Sequence, residues 1–557
     1  MKRLFKAIIF FVAITFASCG DKTPDYFIPI EIIPKPLSVK QGEGNYMFRE
    51  DSKIFINTKD YEVKKVANYF ERKVSPHINF EFNTVLNSTR PHDEDGLHLI
   101  LNKEIDKELG NEGYKMEIDG SVVISANTPK GLFYGIVSLL QLFPVEVLNP
   151  VGDEQVDLIV PKLSITDSPR FSYRGMHLDV CRHFFPVSTI KKYLDIMAMH
   201  KLNTFHWHLT EDQGWRIEIK KYPLLTSISS ERKETIVEKN FNPYIGDSTV
   251  HRGFYTQDEI RSIVEYAAER QITIIPEIEM PGHSLAALAA YPQLSCTGGP
   301  FETATTWGVF DDIYCAGNDS VFTFLENILL EVIDLFPSQY IHIGGDEAPK
   351  TRWKTCSLCQ QRIKNEGLKD EYELQSYFIQ RIEKFLNEHG KNIIGWDEIL
   401  EGGLAPNATV MSWRGTEGGI AAAKQGHNVI MTPGSHMYFD HYQGEPETEP
   451  LAIGGNTSLA KVYEFEPIPT ELNEKEAVHI IGLQANLWTE YIPTEQHLEY
   501  MYLPRMSALA EVAWTKVENR NWEDFSIRMK AQYKRYEVMG YNFRKPEIAS
   551  EADSLKQ

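Results

Sequence analysis

The chain from residue 172 onward repeats one pattern, in which a short apolar run is followed by a polar loop. Amphipathic helices lie between several of the runs: segment 256–270 opens with a capping box of Thr256 and Glu259, and segment 371–390 ends on a glycine. The apolar runs occupy residues 173–180, 203–209, 272–280, 340–345, 392–396, 409–413, 428–432 and 479–488. Eight buried strands that alternate with helices predict a (β/α)8 barrel, so we expect an α/β fold of the TIM-barrel type.

The segment before the barrel has a different organisation. Residues 31–168 combine short alternating strands with one helical stretch, GLFYGIVSLLQLF, which predicts a small α+β domain. Pro169 ends this domain, and the barrel is expected over residues 169–515. Residues 516–557 are predicted to form a helical segment that packs on the barrel. Two long connections, 210–255 and 433–478, are expected to be loops with a functional role.

The first residues have the pattern of an export signal. A basic stretch, MKRLFK, precedes the apolar run AIIFFVAITFA, which is too short to span a bilayer. The SCGD that follows resembles a bacterial lipoprotein processing site, so we expect residues 1–19 to be a signal peptide and Cys19 to carry lipid. Signal cleavage without lipidation is the alternative. Residues 20–30 are then a tether, and the protein is expected in the periplasm or as an outer-membrane or cell-surface lipoprotein of a Gram-negative bacterium.

The net charge argues against two classes of partner. The 557 residues carry a formal charge of −21, and we find no long run of Lys or Arg. Nucleic acids and anionic membrane surfaces both require basic patches, so neither is expected as a partner. No later segment of the sequence is apolar and long enough to cross a bilayer, and membrane attachment is therefore expected only through the lipid anchor.

The cysteines are expected to be structural. Cys296 and Cys315 bracket a loop rich in Gly, Thr and Pro, and Cys356 and Cys359 form a CxxC. In an exported protein these four favour two disulfides over a metal site, because four-ligand zinc spacing would need a second close pair. Cys181 is predicted to be a buried free thiol. Zinc is not favoured at the HWH stretch either, since sequence fixes no third ligand there, so we expect no metal and no cofactor.

Polar and aromatic residues follow the predicted strands at the end where barrels of this type carry their chemistry. From strand one to strand eight they are Arg174, His177, Asp179, His206, His208, Glu211, Asp212, Glu277, Glu279, His283, His342, Asp346, Glu347, Trp396, Asp397, Glu398, Trp413, Arg414, Tyr438, Asp440, Trp488 and Glu490. The adjacent carboxylates Asp346 and Glu347 stand directly after Gly344 and Gly345. Neighbouring strand residues point to opposite faces, so the glycine break is what lets both carboxylates enter one pocket.

Eight ordered segments of the barrel resemble the catalytic domain of glycoside hydrolase family 20, the β-N-acetylhexosaminidases. They are RGMHLDVCRHFF (174–185), HWHLTEDQGWR (206–216), PEIEMPGH (276–283), HIGGDE (342–347), GWDE (395–398), MSWRG (411–415), YFD (438–440) and LWTE (487–490). The resemblance covers residues 170–515, and the preceding domain, with NEGYKMEI and GLFYGIVSLLQL, resembles the α+β domain that accompanies this family. It implies an exo-acting enzyme that removes terminal non-reducing β-linked GlcNAc or GalNAc from an oligosaccharide or glycoconjugate.

The resemblance also implies a mechanism and its three catalytic residues. Most glycosidases use two opposed carboxyl groups, but in this family the 2-acetamido oxygen of the substrate is the nucleophile and configuration is retained. Glu347 is expected to act as general acid and then as general base, with a raised pKa. Asp346 would orient the acetamido N–H and stabilise an oxazolinium-like intermediate. Tyr438 would donate a hydrogen bond to the acetamido carbonyl.

Eight further residues receive binding roles from the same resemblance. Three tryptophans would wall the pocket around the acetyl methyl group and the sugar ring. Three charged residues would bind ring hydroxyls, with the arginine towards O3 and O4, and two more would form a supporting polar pair near the acid. In that order the residues are Trp396, Trp413, Trp488, Arg174, Asp440, Glu490, Asp212 and His283.

Three alternatives stand beside this interpretation. A family member with a larger first subsite could release a disaccharide such as lacto-N-biose, or prefer sulfated GlcNAc. A glycan-binding lipoprotein without catalysis would need the tryptophans but not Glu347 or Tyr438. A glycosidase with a carboxylate nucleophile would need a second acid opposite Glu347, for which Glu490 is the candidate.

Overall fold

The computed structural model describes Pro24 and residues 26–86, 94–152 and 154–546. The predicted signal peptide, Cys19 and the end of the predicted C-terminal segment lie outside the described residues. The described chain begins with an α+β unit. Its elements are β1 (Ser38–Met47), β2 (Lys53–Ile56), α1 (Tyr61–Val74), β3 (Thr84–Leu86), β4 (Gly96–Leu101), β5 (Tyr114–Ile118), β6 (Val122–Ala126), α2 (Pro129–Leu142) and β7 (Ile159–Asp167). The strands form one mixed sheet in the order β1-β7-β5-β6-β4-β2-β3, which confirms the predicted α+β domain.

Helix α2 joins this unit to the barrel. Residues 131–142 are all buried, as a helix that is apolar on every side requires. The helix packs against β5 and β6 on one side. On the other side its Tyr134 hydroxyl accepts a hydrogen bond from Arg174 at 3.0 Å, and Gln141 donates to the carbonyl of Met199 at 3.3 Å. The sheet is therefore fixed to the end of the barrel at which the strands begin.

The second unit is a closed parallel barrel surrounded by helices. Its elements are β8 (Tyr173–Asp179), α3 (Val187–Met199), β9 (Thr204–His208), β10 (Thr210–Glu211), β11 (Gly214–Trp215), α4 (Leu224–Ser227), β12 (Glu231–Arg232), β13 (Ile236–Phe241), β14 (Tyr244–Gly246), β15 (His251–Arg252), α5 (Gln257–Ala268), β16 (Thr273–Glu277), α6 (Leu285–Ala290), α7 (Asp319–Leu335), β17 (Tyr340–His342), α8 (Thr351–Thr355), α9 (Ser357–Glu366), α10 (Glu371–Glu388), β18 (Asn392–Trp396), β19 (Thr409–Ser412), α11 (Glu417–Lys424), β20 (Val429–Met431), α12 (Gly434–Met437), α13 (Leu459–Glu464), α14 (Glu474–Ala477), β21 (Ile480–Ala485), α15 (Glu495–Tyr502), α16 (Arg505–Trp514) and α17 (Trp522–Val538). The barrel closes in the order β8-β9-β16-β17-β18-β19-β20-β21, with β21 paired to β8. The predicted TIM barrel is confirmed, and each of the eight predicted strands contains one of these eight.

The two long connections carry short elements of their own. Segment 210–255 contains β10 to β15 and α4, and segment 433–478 contains α12 to α14. These elements were not predicted from the sequence, because strands and helices of two to six residues leave too short a periodic pattern. Both segments reach the end of the barrel at which the strands finish, where Phe241 and Ile453 line a cavity.

Helix α17 contacts both units. Its Arg528 forms an ion pair with Glu511 of α16, with 2.5 Å between nitrogen and oxygen. The same guanidinium donates to the backbone carbonyl of Ile32 at 3.0 Å. Among the described residues, no helix has the combination of length and apolar character that crossing a membrane requires.

The cysteines differ from the expectation. Cys181 and the four cysteines of the predicted disulfides are all free. The nearest sulfur atoms among Cys296, Cys315, Cys356 and Cys359 are 3.6–3.7 Å apart, whereas a disulfide bond is about 2.05 Å long. The prediction of two disulfides is therefore wrong for this structure. Sequence spacing separated a loop pair from a CxxC pair, but the fold brings all four sulfur atoms into one cluster.

Candidate active site

A cavity of about 570 Å³ opens where the barrel strands end. Nine of the eleven predicted site residues line it: Asp346, Glu347, Tyr438, His283, Trp396, Trp413, Asp440, Trp488 and Glu490. Asp212 lies directly behind His283, and Arg174 lies elsewhere in the molecule. The residues come from the ends of six different strands, so the parallel barrel is what brings them together.

The turn after β17 places the two adjacent carboxylates in this cavity. Gly344 and Gly345 have φ values of +66° and +93°, and Glu347 itself has φ of +43°. A Cβ atom on Gly344 would lie 1.7 Å from Glu279 Oε2, so both the dihedral angle and the space require glycine. The carbonyl of Gly344 accepts the Trp396 backbone N–H at 2.9 Å. The positive φ of Glu347 is unfavourable for a residue with a side chain, and such strain is concentrated at functional sites.

Asp346 and Glu347 lie in different electrostatic environments. Asp346 is 9% exposed, and burial raises its pKa to about 7, with further contributions from neighbouring carboxylates. The side chain of Glu347 is 41% exposed, and the contact with His283 lowers its pKa. The raised pKa predicted for Glu347 from the sequence is therefore wrong for this structure. The physical reason is that Glu347 faces both solvent and a cationic imidazole.

His283 connects the carboxylate pair to two buried acids. Its Nε2 lies 3.6 Å from both an Asp346 oxygen and a Glu347 oxygen. On the other side its Nδ1 lies 3.0 Å from Asp212 and 2.8 Å from Glu211. Burial alone would lower the pKa of His283, but these carboxylates raise it well above its usual range. His283 is therefore a cation. Asp212 contacts His283 and not the cavity, as expected for the predicted supporting polar pair.

Arg182 is the arginine that reaches the cavity. It lies just after β8, and its NH2 atom is 3.0 Å from Glu211 Oε2, while NH1 is 3.5 Å from Asp179 Oδ2. The guanidinium carbon lies 5.1 Å from the ring centroid of Trp488, which it covers. Arg182 was not among the residues predicted from the sequence, although it stands in the quoted RGMHLDVCRHFF segment. The sequence did contain a signal for Arg182: it follows the end of the strand, where barrels of this type carry their functional residues.

Arg174 does not line the cavity, and its predicted contact with ring hydroxyls is wrong. It is the second residue of β8 and therefore lies at the opposite end of the barrel. Its guanidinium donates to Glu112 of the α+β unit at 2.8 Å and to the carbonyl of Phe171 at 2.8 Å. The side chain is fully buried, so Arg174 joins the two units and cannot contact a ligand in the cavity.

A buried carboxylate below the cavity fixes Trp396. The indole N–H of Trp396 donates to Glu277 at 2.9 Å. Glu277 also lies 2.7 Å from His342, 3.0 Å from His206 and 2.5 Å from His208. Although burial opposes it, Glu277 raises the pKa of His208 to about 10, so that this pair is ionic. These residues have the composition of a metal site, but the imidazolium and the indole already satisfy the carboxylate.

The other aromatic side chains form the walls of the cavity. Trp396 and Trp488 have ring centroids 5.8 Å apart, and Trp413 stacks on Tyr438 at 6.2 Å with 24° between the ring planes. The indole N–H of Trp413 donates to Glu398 at 3.0 Å. Burial raises the pKa of Tyr438 well above its usual range, so its hydroxyl stays protonated and can donate a hydrogen bond.

Five polar atoms of the described cavity residues are buried without a hydrogen-bond partner. They are Asp346 Oδ1, Asp440 Oδ1, Glu490 Oε2, Arg182 Nε and, at the mouth, Trp307 Nε1. Buried polar groups in proteins are almost always paired, and each exception needs an explanation. Three acceptors and two donors that border one aromatic-walled cavity are what a ligand with several hydroxyl or amide groups would satisfy.

The mouth of the cavity is more apolar than its base. Its rim residues were not predicted from the sequence, because they lie in loops outside the eight quoted motifs. They are Phe241, Trp307, Val309, Ile453 and Tyr491.

The sequence matches two family descriptions that together cover the described units. Residues 171–517 match "Glycosyl hydrolase family 20, catalytic domain", and residues 29–168 match "Glycosyl hydrolase family 20, domain 2". A β-hexosaminidase from Porphyromonas gingivalis is 47% identical over 553 residues, covering 98% of this chain and 69% of the relative. A β-hexosaminidase from Vibrio furnissii is 35% identical, covering 86% of this chain and 76% of the relative.

Solved structures of similar proteins agree with these matches. The β-N-acetylhexosaminidase from Bacteroides fragilis superposes with a TM-score of 0.76 at 31% identity, covering 92% of this chain and 96% of that one. A mutant β-hexosaminidase from Streptomyces plicatus, solved in complex with the product GlcNAc, superposes with a TM-score of 0.79 at 28% identity, covering 93% of this chain and 97% of that one.

Proposed function

The chain belongs to glycosyl hydrolase family 20, and from that premise we propose that it is an exo-acting β-N-acetylhexosaminidase that removes terminal non-reducing β-linked GlcNAc or GalNAc from glycans. The observation that carries the proposal is the set of five unpaired polar atoms in the cavity that contains Asp346 and Glu347. A terminal sugar with a 2-acetamido group supplies both the hydroxyls and the amide N–H that these atoms lack.

The first step is protonation of the leaving group and attack by the substrate itself. Glu347 gives a proton to the glycosidic oxygen while the C1–O bond breaks, and the acetamido oxygen forms a new bond to C1 from the other face. Asp346 accepts the acetamido N–H through its unpaired Oδ1 and balances the positive charge of the oxazolinium ring. Tyr438 donates to the acetamido oxygen and holds it below C1. In the second step Glu347 removes a proton from water, which attacks C1 and reopens the ring.

Binding of the sugar would reverse the two carboxyl pKa values of the free protein. A ring lying against Glu347 excludes water from it, which favours the protonated acid. The acetamido N–H donates to Asp346, and a hydrogen bond to the charged form favours the carboxylate. In the free protein near neutral pH the buried Asp346 holds a proton. After the sugar binds, Glu347 must be the protonated group and Asp346 the carboxylate. His283, within 3.6 Å of both side chains, lies where it can balance the charge during this change.

The base of the cavity favours a single sugar. Arg182, Asp440 and Glu490 would bind ring hydroxyls of the non-reducing terminal residue, and the buried Asp179 and Glu211 hold Arg182 in place. This arrangement favours release of a monosaccharide over release of a disaccharide.

The remaining alternatives fit the geometry less well. A binding protein would have no use for the strained turn that carries Glu347. Glu490, the candidate for a carboxylate nucleophile, has a pKa raised by burial, which disfavours the charged form that a nucleophile needs.

Hydrolysis of three aryl glycosides tests the proposal. The purified protein should cleave aryl β-GlcNAc and β-GalNAc but not aryl β-Glc, and a thiazoline mimic of the cyclised intermediate should inhibit it. Equal activity on β-Glc, or indifference to the thiazoline, would mean that a protein carboxylate is the nucleophile. Activity only on longer glycans, with a disaccharide as product, would support the larger subsite.

Export and lipidation are part of the same proposal. The support is the sequence MKRLFKAIIFFVAITFASCGD, in which Cys19 would carry lipid and hold the enzyme at a membrane of a Gram-negative cell. Metabolic labelling with a fatty-acid analogue should mark the wild type but not Cys19→Ser. Labelling that is equal in both, or absent in both, would exclude the anchor while leaving the enzymatic proposal untouched.

A further inference from the structure

We propose that Cys296, Cys315, Cys356 and Cys359 bind one zinc ion as a closed tetrathiolate site. Their sulfur atoms all lie within 4.8 Å of one another. The Cys296–Cys359 and Cys315–Cys356 distances are both 3.7 Å, and the Cys315–Cys359 distance is 3.6 Å. Zinc binds thiolate sulfur at about 2.3 Å, so the edges of a tetrahedron around it are about 3.8 Å long. The cluster already has these dimensions.

The pattern of distances favours an ion over two disulfides. In a disulfide framework each sulfur would have one close partner. Here Cys315 is equally close to both cysteines of the CxxC, and Cys359 is equally close to Cys296 and Cys315. Each of these two sulfur atoms has two near neighbours, which is the arrangement around a common centre. Cys315 and Cys359 are fully buried, so the centre is closed to solvent on that side.

The local backbone is built to hold thiolates. Cys356 is the N-cap of α9 and Cys359 lies in its first turn, where the helix dipole stabilises negative charge. A Cβ atom on Gly317 would lie 2.2 Å from the carbonyl carbon of Leu358, so the CxxC backbone packs directly on this glycine.

Two further contacts join the same segments. Arg352 of α8 donates to both carboxylate oxygens of Asp312 at 2.9 Å. The indole N–H of Trp353 donates to the carbonyl of Tyr314 at 2.9 Å. Both contacts hold segment 297–314 against α8. All four ligand positions are occupied by protein sulfur, so the ion would be structural and not catalytic.

The site connects the rim of the active-site cavity to the catalytic turn. Cys296 and Cys315 hold the two ends of segment 297–314, which carries Trp307, Gly308 and Val309 at the mouth of the cavity. The CxxC follows the Asp346–Glu347 turn through α8. One ion at this point would set the position of the rim loop relative to the general acid.

Metal analysis of the protein isolated from the compartment to which the cell delivers it tests the proposal. Elemental analysis should find one zinc ion per chain, and intact mass after unfolding in chelator and alkylation should show all four cysteines free. Cobalt taken up in place of zinc should give the absorption of a tetrahedral thiolate complex. Two disulfides without metal would overturn the proposal, and so would iron in stoichiometric amount.

Variants locate the ion in this cluster. Zinc content should fall at least fivefold in Cys296→Ser and Cys359→Ser, because a structural zinc site needs all four ligands. Cys181→Ser, which changes the buried cysteine outside the cluster, should retain one zinc per chain. If either cluster variant does not fold, chelation of the wild type decides: the melting temperature should fall by at least 5 °C and recover on addition of zinc. An unchanged melting temperature after complete removal of metal would contradict a structural role.

Discussion

Arg174 lies at the beginning of strand β8 and Arg182 follows its end, so the two arginines act at opposite ends of the barrel. Arg174 pairs with Glu112 below the barrel at 2.8 Å, and Arg182 pairs with Glu211 beside the cavity at 3.0 Å. Both guanidinium groups are buried and both neutralise an acid, but only Arg182 borders the space where a sugar would bind. The two residues therefore form a matched pair for experiment.

Replacing each arginine with lysine should separate binding from stability. Arg182→Lys should lower kcat/KM by roughly 10- to 150-fold, because a hydrogen bond to a charged group contributes about 1.5–3 kcal/mol and lysine lacks the planar fork. Arg174→Lys should leave kcat/KM within about twofold but lower the free energy of unfolding, by up to the roughly 3–5 kcal/mol of a broken buried ion pair. Steady-state kinetics and denaturant unfolding measure the two effects. A larger kinetic loss in Arg174→Lys than in Arg182→Lys would contradict the assignment.

Glu347→Gln should show a loss that depends on the leaving group. The amide cannot donate the proton, and general acid catalysis typically contributes about 10²- to 10⁴-fold. That loss is expected for substrates with a poor leaving group, whereas an aryl glycoside with a very acidic phenol needs little protonation and should lose far less. The measurement is kcat/KM across a series of aryl β-GlcNAc substrates. The same loss at every leaving group would show that Glu347 is not the general acid.

Asp346→Asn should change the pH dependence of stability. Burial raises the pKa of Asp346 from 3.8 to about 7, so the folded protein binds a proton that the unfolded chain releases. This contribution to stability is complete below pH 3.8 and is lost as pH rises towards 7 and above. The loss is about 1.4 kcal/mol for each pH unit that separates the folded and unfolded pKa values. The neutral asparagine removes the loss, so the variant should gain stability relative to wild type between pH 4 and pH 8, while activity falls.

Thermal unfolding at several pH values measures this difference. Asp311→Asn, which changes an exposed aspartate on the rim loop, is the control and should follow wild type throughout. If Asp346→Asn instead loses stability relative to wild type as pH rises, the buried carboxyl group is stabilised as an anion and the raised pKa is wrong.

Gly344→Ala should be far more damaging than Gly390→Ala. Both glycines have positive φ, +66° and +73°, so an alanine has a similar backbone strain at both. At Gly390 an added Cβ meets nothing within 4 Å, and we expect a loss of about 1–2 kcal/mol from the left-handed backbone alone. At Gly344 the added Cβ would overlap the Glu279 carboxylate, so the catalytic turn must move. Activity and unfolding free energy of the two variants are the measurements, and equal effects would mean that the turn tolerates the change.

Local sequence pattern was sufficient for the architecture and for most of the site. The alternation of apolar runs with amphipathic helices predicted all eight barrel strands, and the rule that parallel strands share one functional end placed Asp346, Tyr438 and Glu490 together. The same rule, applied strictly, separates Arg174 from Arg182, because one stands at the start of β8 and the other follows its end. The motif resemblance could not distinguish the two arginines, since both occur in the same quoted segment. The direction of the strand does distinguish them.

The sequence alone determined the two units, the strand order of the barrel and the identity of the carboxylate pair, because these depend on short-range periodicity and on adjacent residues. Tertiary structure alone decided three properties that depend on distant segments. It placed Glu347 in partial solvent beside a cationic His283, which lowers its pKa in the free protein. It left the acceptors of Asp440 and Glu490 unpaired in one cavity. It also brought the cysteines of a loop and of a helix terminus into one cluster, since only the packing of α8 and α9 against segment 297–314 sets those sulfur distances.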